Sequence, residues 1–112
     1  VEFTNDGSVL SKNSVFTGSL TSGANTVSTF LKADFKTAKY IVTLSEGTTR
    51  TAFEILVVHN GTDGEGTTYG IVDAQTSSLL SEVNVSVSST TIDLVITTTG
   101  DCTAIINGVA HY

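Results

Sequence analysis

Apolar and polar residues alternate along most of this chain with a period of two, the pattern of half-buried β-strands. In "AKYIVTLSEG", Tyr40, Val42 and Leu44 fall on one face, and Ile41 and Thr43 fall on the other. No useful stretch follows the helical period of about 3.6 residues. We therefore predict about eight strands. They lie at residues 15–20, 25–31, 38–47, 50–59, 67–74, 77–88, 90–100 and 102–111.

Turn signals separate these segments at intervals of roughly ten residues, a spacing typical of an antiparallel sandwich or barrel. We predict an all-β fold, an antiparallel β-sandwich of jelly-roll-like type, over residues 14–112. Residues 1–13 alternate less clearly, and we interpret them as a linker or an edge segment from a preceding part of a larger protein. The absence of Met favours the same origin inside a longer chain, or a start that follows processing.

Several predicted strands carry apolar residues on both faces, and the clearest examples are Leu56, Val58, Leu80 and Val95. A sandwich face in contact with water should be polar. We therefore expect an outer face that includes Leu56, Val58 and Val95 to be covered, either by another copy of the chain or by the rest of the parent protein.

The stretch "FEILVVHNGTDGEGTTYG" most resembles a site. His59 is the best available base, but the chain lacks the G-x-S-x-G turn of a serine nucleophile, and a solvent-facing histidine at a strand end is the better interpretation. We predict a hairpin loop with no catalytic, cofactor-binding or metal-binding residue. Asn60, Asp63, Glu65 and Tyr69 form a candidate partner-contact loop.

Metal and sugar chemistry find little support in the sequence. The loop lacks the calcium-binding spacing D-x-[DN]-x-[DN]-G, and His59, His111 and Cys102 are not spaced as zinc ligands. The chain has no Trp and three Tyr, which weakens a carbohydrate-binding reading.

The charge, the apolar run lengths and the single cysteine limit the partners and the compartment that we expect for this chain. The net charge is −6, and no Lys or Arg follows Arg50, so nucleic acid is not an expected partner. No apolar run reaches the ~18 residues of a membrane span. Cys102 stands alone, and we expect a small buried side chain in a protein assembled in a reducing cytosol.

The order of "FKTAKYIVTL", "FEILVVHNGT", "TTYGIV", a V-x-V-x-V strand and "IDLVIT" resembles a domain of virion structural proteins of tailed phages, especially marine phages and those of cyanobacteria. The resemblance covers Phe35 to Ile106. It implies a non-enzymatic β-sandwich module of a tail, fibre, neck or capsid-surface protein. Its implied partners are copies of itself and other virion proteins, and its implied location is the virion, assembled in the host cytoplasm.

A second function class stays open beside this one. A receptor- or glycan-binding module of a phage fibre would bind a host surface through loops such as 60–66 and 20–26. An enzyme is the third class, and no motif in the chain favours it.

Overall fold

The structure is a computed structural model that describes residues 2–5, 8–74 and 78–111, with side-chain burial described from Val15 onward. The described residues form nine β-strands and no helix. The strands are β1 (Glu2–Asn5), β2 (Ser8–Leu20), β3 (Gly23–Leu31), β4 (Thr37–Glu46), β5 (Thr49–His59), β6 (Gly64–Ala74), β7 (Leu80–Val87), β8 (Thr91–Thr98) and β9 (Cys102–His111).

These strands make two antiparallel sheets. The large sheet has six strands in the order β1-β2-β9-β4-β5-β6, and the small sheet has three in the order β3-β8-β7. The chain crosses between the sheets at the β2–β3, β3–β4, β6–β7 and β8–β9 connections. The predicted all-β fold, an antiparallel β-sandwich, is therefore confirmed.

The core lies between the sheets and is built from the buried member of each alternating pair. Each of four central strands places three residues there, and their exposed fractions do not exceed 4%. These residues are Tyr40, Val42 and Leu44 on β4, Phe53, Ile55 and Val57 on β5, Ile92, Leu94 and Ile96 on β8, and Cys102, Ala104 and Ile106 on β9. Because the side-chain period of a strand is two, this register sends every intervening residue to an outer face.

The eight predicted strands correspond to β2 through β9, and the two largest differences are the early starts of β2 and β6. Strand β2 starts at Ser8, inside the segment 1–13, and pairs with β1 on one side and β9 on the other. Residues 1, 6 and 7 of that segment, and residue 77 of the sixth predicted strand (77–88), lie outside the described residues. The division of the chain at residue 13 stays a prediction.

Strand β6 also starts earlier than predicted, at Gly64. The sequence pattern did not indicate this start, because Gly64 and Gly66 occupy positions where an inward-facing apolar side chain would be the signal. A Cβ on Gly64 would lie 2.8 Å from Val87 Cγ2, and one on Gly66 would lie 2.9 Å from Val85 Cγ2. Both distances are shorter than a carbon–carbon contact of about 3.5 Å. The glycines therefore allow β7 to approach β6 closely and close that side of the sandwich.

Candidate interaction surface

The outer face of the large sheet is the candidate site, because it is unusually apolar for a face in contact with water. Five aliphatic side chains on four of its strands are between 47% and 68% exposed. They are Val15 on β2, Ile105 on β9, Ile41 on β4, and Leu56 and Val58 on β5. Cross-strand pairing brings them together. On one side of Ile41, its partner Glu54 on β5 is two residues from Leu56. On the other side, Thr43, two residues along β4 from Ile41, pairs with Ile105 on β9. We call this set the apolar face.

The outer face of the small sheet has the opposite character. Thr29 Oγ1 donates a hydrogen bond to Asp93 Oδ1 at 2.9 Å, and Asn84 Nδ2 donates to Glu82 Oε1 at 2.8 Å. Val95 is half-buried in the middle of this face, opposite Thr26. One side of the sandwich is thus suited to water, whereas the other is not.

The residues predicted for a covered outer face therefore do not lie on one surface. Leu56 and Val58 are on the apolar face, whereas Val95 is on the outer face of the small sheet. Leu80 is partly buried and packs against the core, so its prediction as a second-face residue was wrong. The sequence identified apolar residues beyond the core but could not assign them to a sheet, since strand order is a tertiary property.

A charged group interrupts the apolar face near its centre. Lys39 Nζ lies 3.3 Å from Glu54 Oε1 and 5.9 Å from the ring centroid of Tyr69. Hydrogen bonding with Tyr69, followed by the hydrogen bond and charge of Glu54, raises the pKa of Lys39. An exposed pair of this kind adds little to stability, and its consequence is instead a fixed pattern of positive and negative charge on an apolar surface.

The candidate partner-contact loop divides into two parts. Asn60 Oδ1 accepts hydrogen bonds from the backbone amides of Thr62 at 2.9 Å and Asp63 at 2.8 Å, so it holds a tight turn together. Glu65 and Tyr69 are instead strand residues of β6, opposite Val58 and Glu54 respectively. The structure therefore joins Glu65 and Tyr69 to the apolar face and leaves Asn60 and Asp63 at the turn.

The prediction of a solvent-facing His59 was wrong, because the side chain is 5% exposed. Its Nδ1 accepts a hydrogen bond from the amide of Gly61 at 3.0 Å, and its Nε2 donates to the carbonyl of Phe35. The backbone amide of His59 donates to the carbonyl of Lys36 at 3.0 Å. Both ring nitrogens are thus used to connect two loops, and His59 has a structural role.

The sequence did contain a signal for this burial. His59 continues the odd-numbered series Phe53, Ile55 and Val57, which all face the core. The parity of the strand therefore placed His59 inward. The expectation of a solvent-facing His59 followed from the polarity of histidine, whereas the alternation of β5 determines where the side chain points.

The loops around residues 20–26 and 60–66 lie at opposite ends of the sandwich. Ser22 N donates to Asp101 Oδ1 at 2.8 Å at one end, and Lys32 Nζ donates to the carbonyl of Gly61 at 2.7 Å at the other. Strand β3, with nine residues, separates the two ends by about 30 Å. The two loops therefore do not form one binding surface.

Cys102 is buried at 4% exposure, as predicted. Burial, followed by the charge of Glu46, raises the pKa of its thiol. Among the described residues, no group of three or more His, Cys, Asp or Glu side chains is arranged to hold a metal ion. The same part of the chain contains no helix with the length and hydropathy of a membrane span.

Comparisons with known proteins add no family assignment. No protein-family model, no curated protein and no solved structure matches this chain. The surface described above therefore stands on its own geometry.

Proposed function

We propose that this chain is a non-enzymatic structural domain of a tailed-phage virion protein that assembles through the outer face of its large sheet. The observation that carries the proposal is the difference between the two outer faces. The small sheet presents threonines and charged residues, whereas the large sheet exposes about half or more of each of Val15, Ile41, Val58 and Ile105.

The energetics favour a covered surface. Apolar area removed from water is worth roughly 25 cal/mol per Å². Exposed apolar patches of several hundred Å² on soluble domains commonly mark protein–protein contacts. The apolar face is also built on central strands of a sheet, so it is rigid and needs little ordering when a partner binds.

The virion setting is supported by the sequence resemblance over Phe35–Ile106, which includes every side chain of the apolar face except Val15. The buried thiol of Cys102 is compatible with assembly in a reducing cytosol. In this proposal the partners are copies of the chain and other virion proteins, and the domain performs no chemistry.

The composition of purified particles tests the proposal. We expect mass spectrometry of density-purified phage particles, produced from a genome that carries this gene, to find the chain in a fixed ratio to a major virion protein. An Ile41→Glu change in that genome should lower its incorporation, whereas Thr26→Glu on the outer face of the small sheet should not. A chain absent from particles but abundant in the lysate would refute the proposed function.

A further inference from the structure

We infer that the occupant of the apolar face is a second copy of this chain, with the two large sheets packed face to face around a two-fold axis near Lys39 and Glu54. The inference rests on the proposed function, since it names the partner of the same surface. It is carried by the charge pattern, the distribution of acidic residues and the area of the face.

The charge pattern is self-complementary. Lys39 and Glu54 lie on neighbouring strands, and their side chains are 50% and 35% exposed. A two-fold axis between them places Lys39 of one copy over Glu54 of the other and repeats the same contact in reverse. An isologous interface requires this reciprocity, because residue i of one copy meets residue j of the other and the reverse contact follows.

The distribution of acidic residues restricts where two copies can meet. The chain carries a net charge of −6, so most pairs of surfaces on two copies repel each other. Asp34, Asp63 and Asp101 are exposed in the loops at the two ends, and Glu82 and Asp93 lie on the outer face of the small sheet. The apolar face carries Glu65 at its β6 edge, beside Val58, whereas its centre balances one cation, Lys39, against one carboxylate, Glu54.

The area is sufficient for a stable dimer. The four strands of the apolar face and the neighbouring β6, which carries Glu65 and Tyr69, are spaced by about 4.8 Å and are about 33 Å long, so together they give a sheet area of about 800 Å². A standard stable interface buries about 800 Å² on each partner. Two sheets that pack face to face lie about 10 Å apart, a separation that side chains of the size of Ile41, Leu56 and Ile105 fill.

The solution mass of the whole chain gives the first test. We expect sedimentation equilibrium to show twice the chain mass of 11.6 kDa. Ile41→Glu should weaken the dimer by ~100-fold, because two carboxylates would be buried at the two-fold axis. The matched control, Thr26→Glu, adds the same charge to an exposed strand residue of the small sheet and should leave the dimer intact.

A charge-exchange experiment then separates a second copy from any other explanation. Lys39→Glu makes the centre of the face entirely acidic, and Glu54→Lys makes it entirely basic. Each variant alone should dimerise at least ~10-fold more weakly, since like charges then face each other. An equimolar mixture should form a heterodimer, because each copy supplies the charge that the other has lost.

The outcomes are distinct. A wild-type chain that stays monomeric at ~100 µM, where interfaces of this area associate, overturns the inference. A dimer that survives Ile41→Glu, or single-charge variants that fail to combine on mixing, overturns it as well.

Circular dichroism verifies that each variant is folded, and recovery on mixing shows this independently. A monomeric chain that is still found in particles would refute the second copy alone, whereas a dimer absent from particles would refute the proposed virion function alone.

Discussion

Gly64 and Gly66 define the contact between the sheets at the β6–β7 side of the sandwich. Their missing side chains leave the space that Val85 and Val87 occupy. A glycine inside a strand normally weakens it, because it brings no side chain to pack and loses more backbone entropy. Here that cost is offset by the approach of β7, whose half-buried valines pack against the core.

We predict that Gly66→Ala lowers the free energy of unfolding by about 1–3 kcal/mol, the usual cost of overpacking. The new methyl group would meet Val85 and also the backbone carbonyl of Leu56, at 3.6 Å. Urea denaturation followed by circular dichroism measures the change. Gly100→Ala is the matched control, because a Cβ there has open space around it. Equal stability of the two variants would contradict the packing role of Gly66.

The limits of sequence reading at this scale are clear from the same residues. The pattern Gly64-x-Gly66 has the period of a strand, yet a glycine carries no hydropathy signal to reveal a buried position. Tyr40, Val42 and Leu44 could be assigned to the core because their own side chains create it. The role of Gly66 depends on Val85, which lies 19 residues later, and no local pattern contains that contact.

Strand β6 contains a bulge that the hydropathy pattern of the sequence does not reveal. The pairing with β5 shifts register between Ala52 and Glu54, and Gly70 adopts a φ of 64°, as in a bulge with glycine in the left-handed region. The bulge leaves Ile71 and Val72 exposed one after the other, at 50% and 67%. Simple alternation would have placed one of them inward. The simultaneous exposure of Ile71 and Val72 on this edge strand therefore follows from a backbone irregularity.

A buried threonine fixes the far end of this strand. Thr51 is 0% exposed, and its Oγ1 donates to Asp73 Oδ1 at 2.7 Å and accepts from the backbone amide of Leu79 at 3.0 Å. These two bonds link β5 to the end of β6 and to the residue before β7. The hydroxyl therefore joins the two sheets where the chain crosses between them.

We predict that Thr51→Val destabilises the domain by about 1–3 kcal/mol, because the shape is kept while the buried amide of Leu79 loses its acceptor. Relative to the unsubstituted chain, Thr51→Val should speed hydrogen exchange at Leu79 and neighbouring amides more than at the core amides of β4. Thr43→Val, at a half-buried position on the apolar face, serves as the control and should change stability far less. Unchanged exchange at Leu79 would show that the hydroxyl has no such role.

At the scale of the whole molecule, two buried ionisable groups make stability depend on alkaline pH. Burial raises the pKa of Cys102 above its ordinary value of 9.0 and that of Tyr40 above 10.0, although the hydrogen bond with Ser28 lowers the latter in part. Both groups are neutral when protonated, so the folded state holds these protons at a pH where the unfolded chain has released them. Stability is then greatest below the unfolded pKa values and falls as pH rises through them towards the folded values.

We therefore expect the free energy of unfolding to be level near pH 7–8 and to decline above pH ~9. Urea titrations across this range measure the slope. Cys102→Ala and Tyr40→Phe should each make the slope shallower, even if they lower stability at neutral pH. A slope that neither change affects would assign the alkaline loss to other groups.

The pairing of β2 with β9 also determines how the domain responds to tension. Ser11 lies opposite His111 and Lys12 opposite Ala110, while Glu2 on β1 lies opposite Lys12. The two ends of the described chain therefore lie about 10 Å apart, two strand spacings, at the same end of neighbouring strands in the large sheet. When the chain is pulled apart by these ends, the rungs next to Glu2 on β1 and next to His111 on β9 break first, so the strands separate one rung at a time and the load is not shared along them. The sandwich is thus mechanically soft along this direction, and an attachment through the apolar face, which spans β2, β9, β4 and β5, distributes force over many rungs at once.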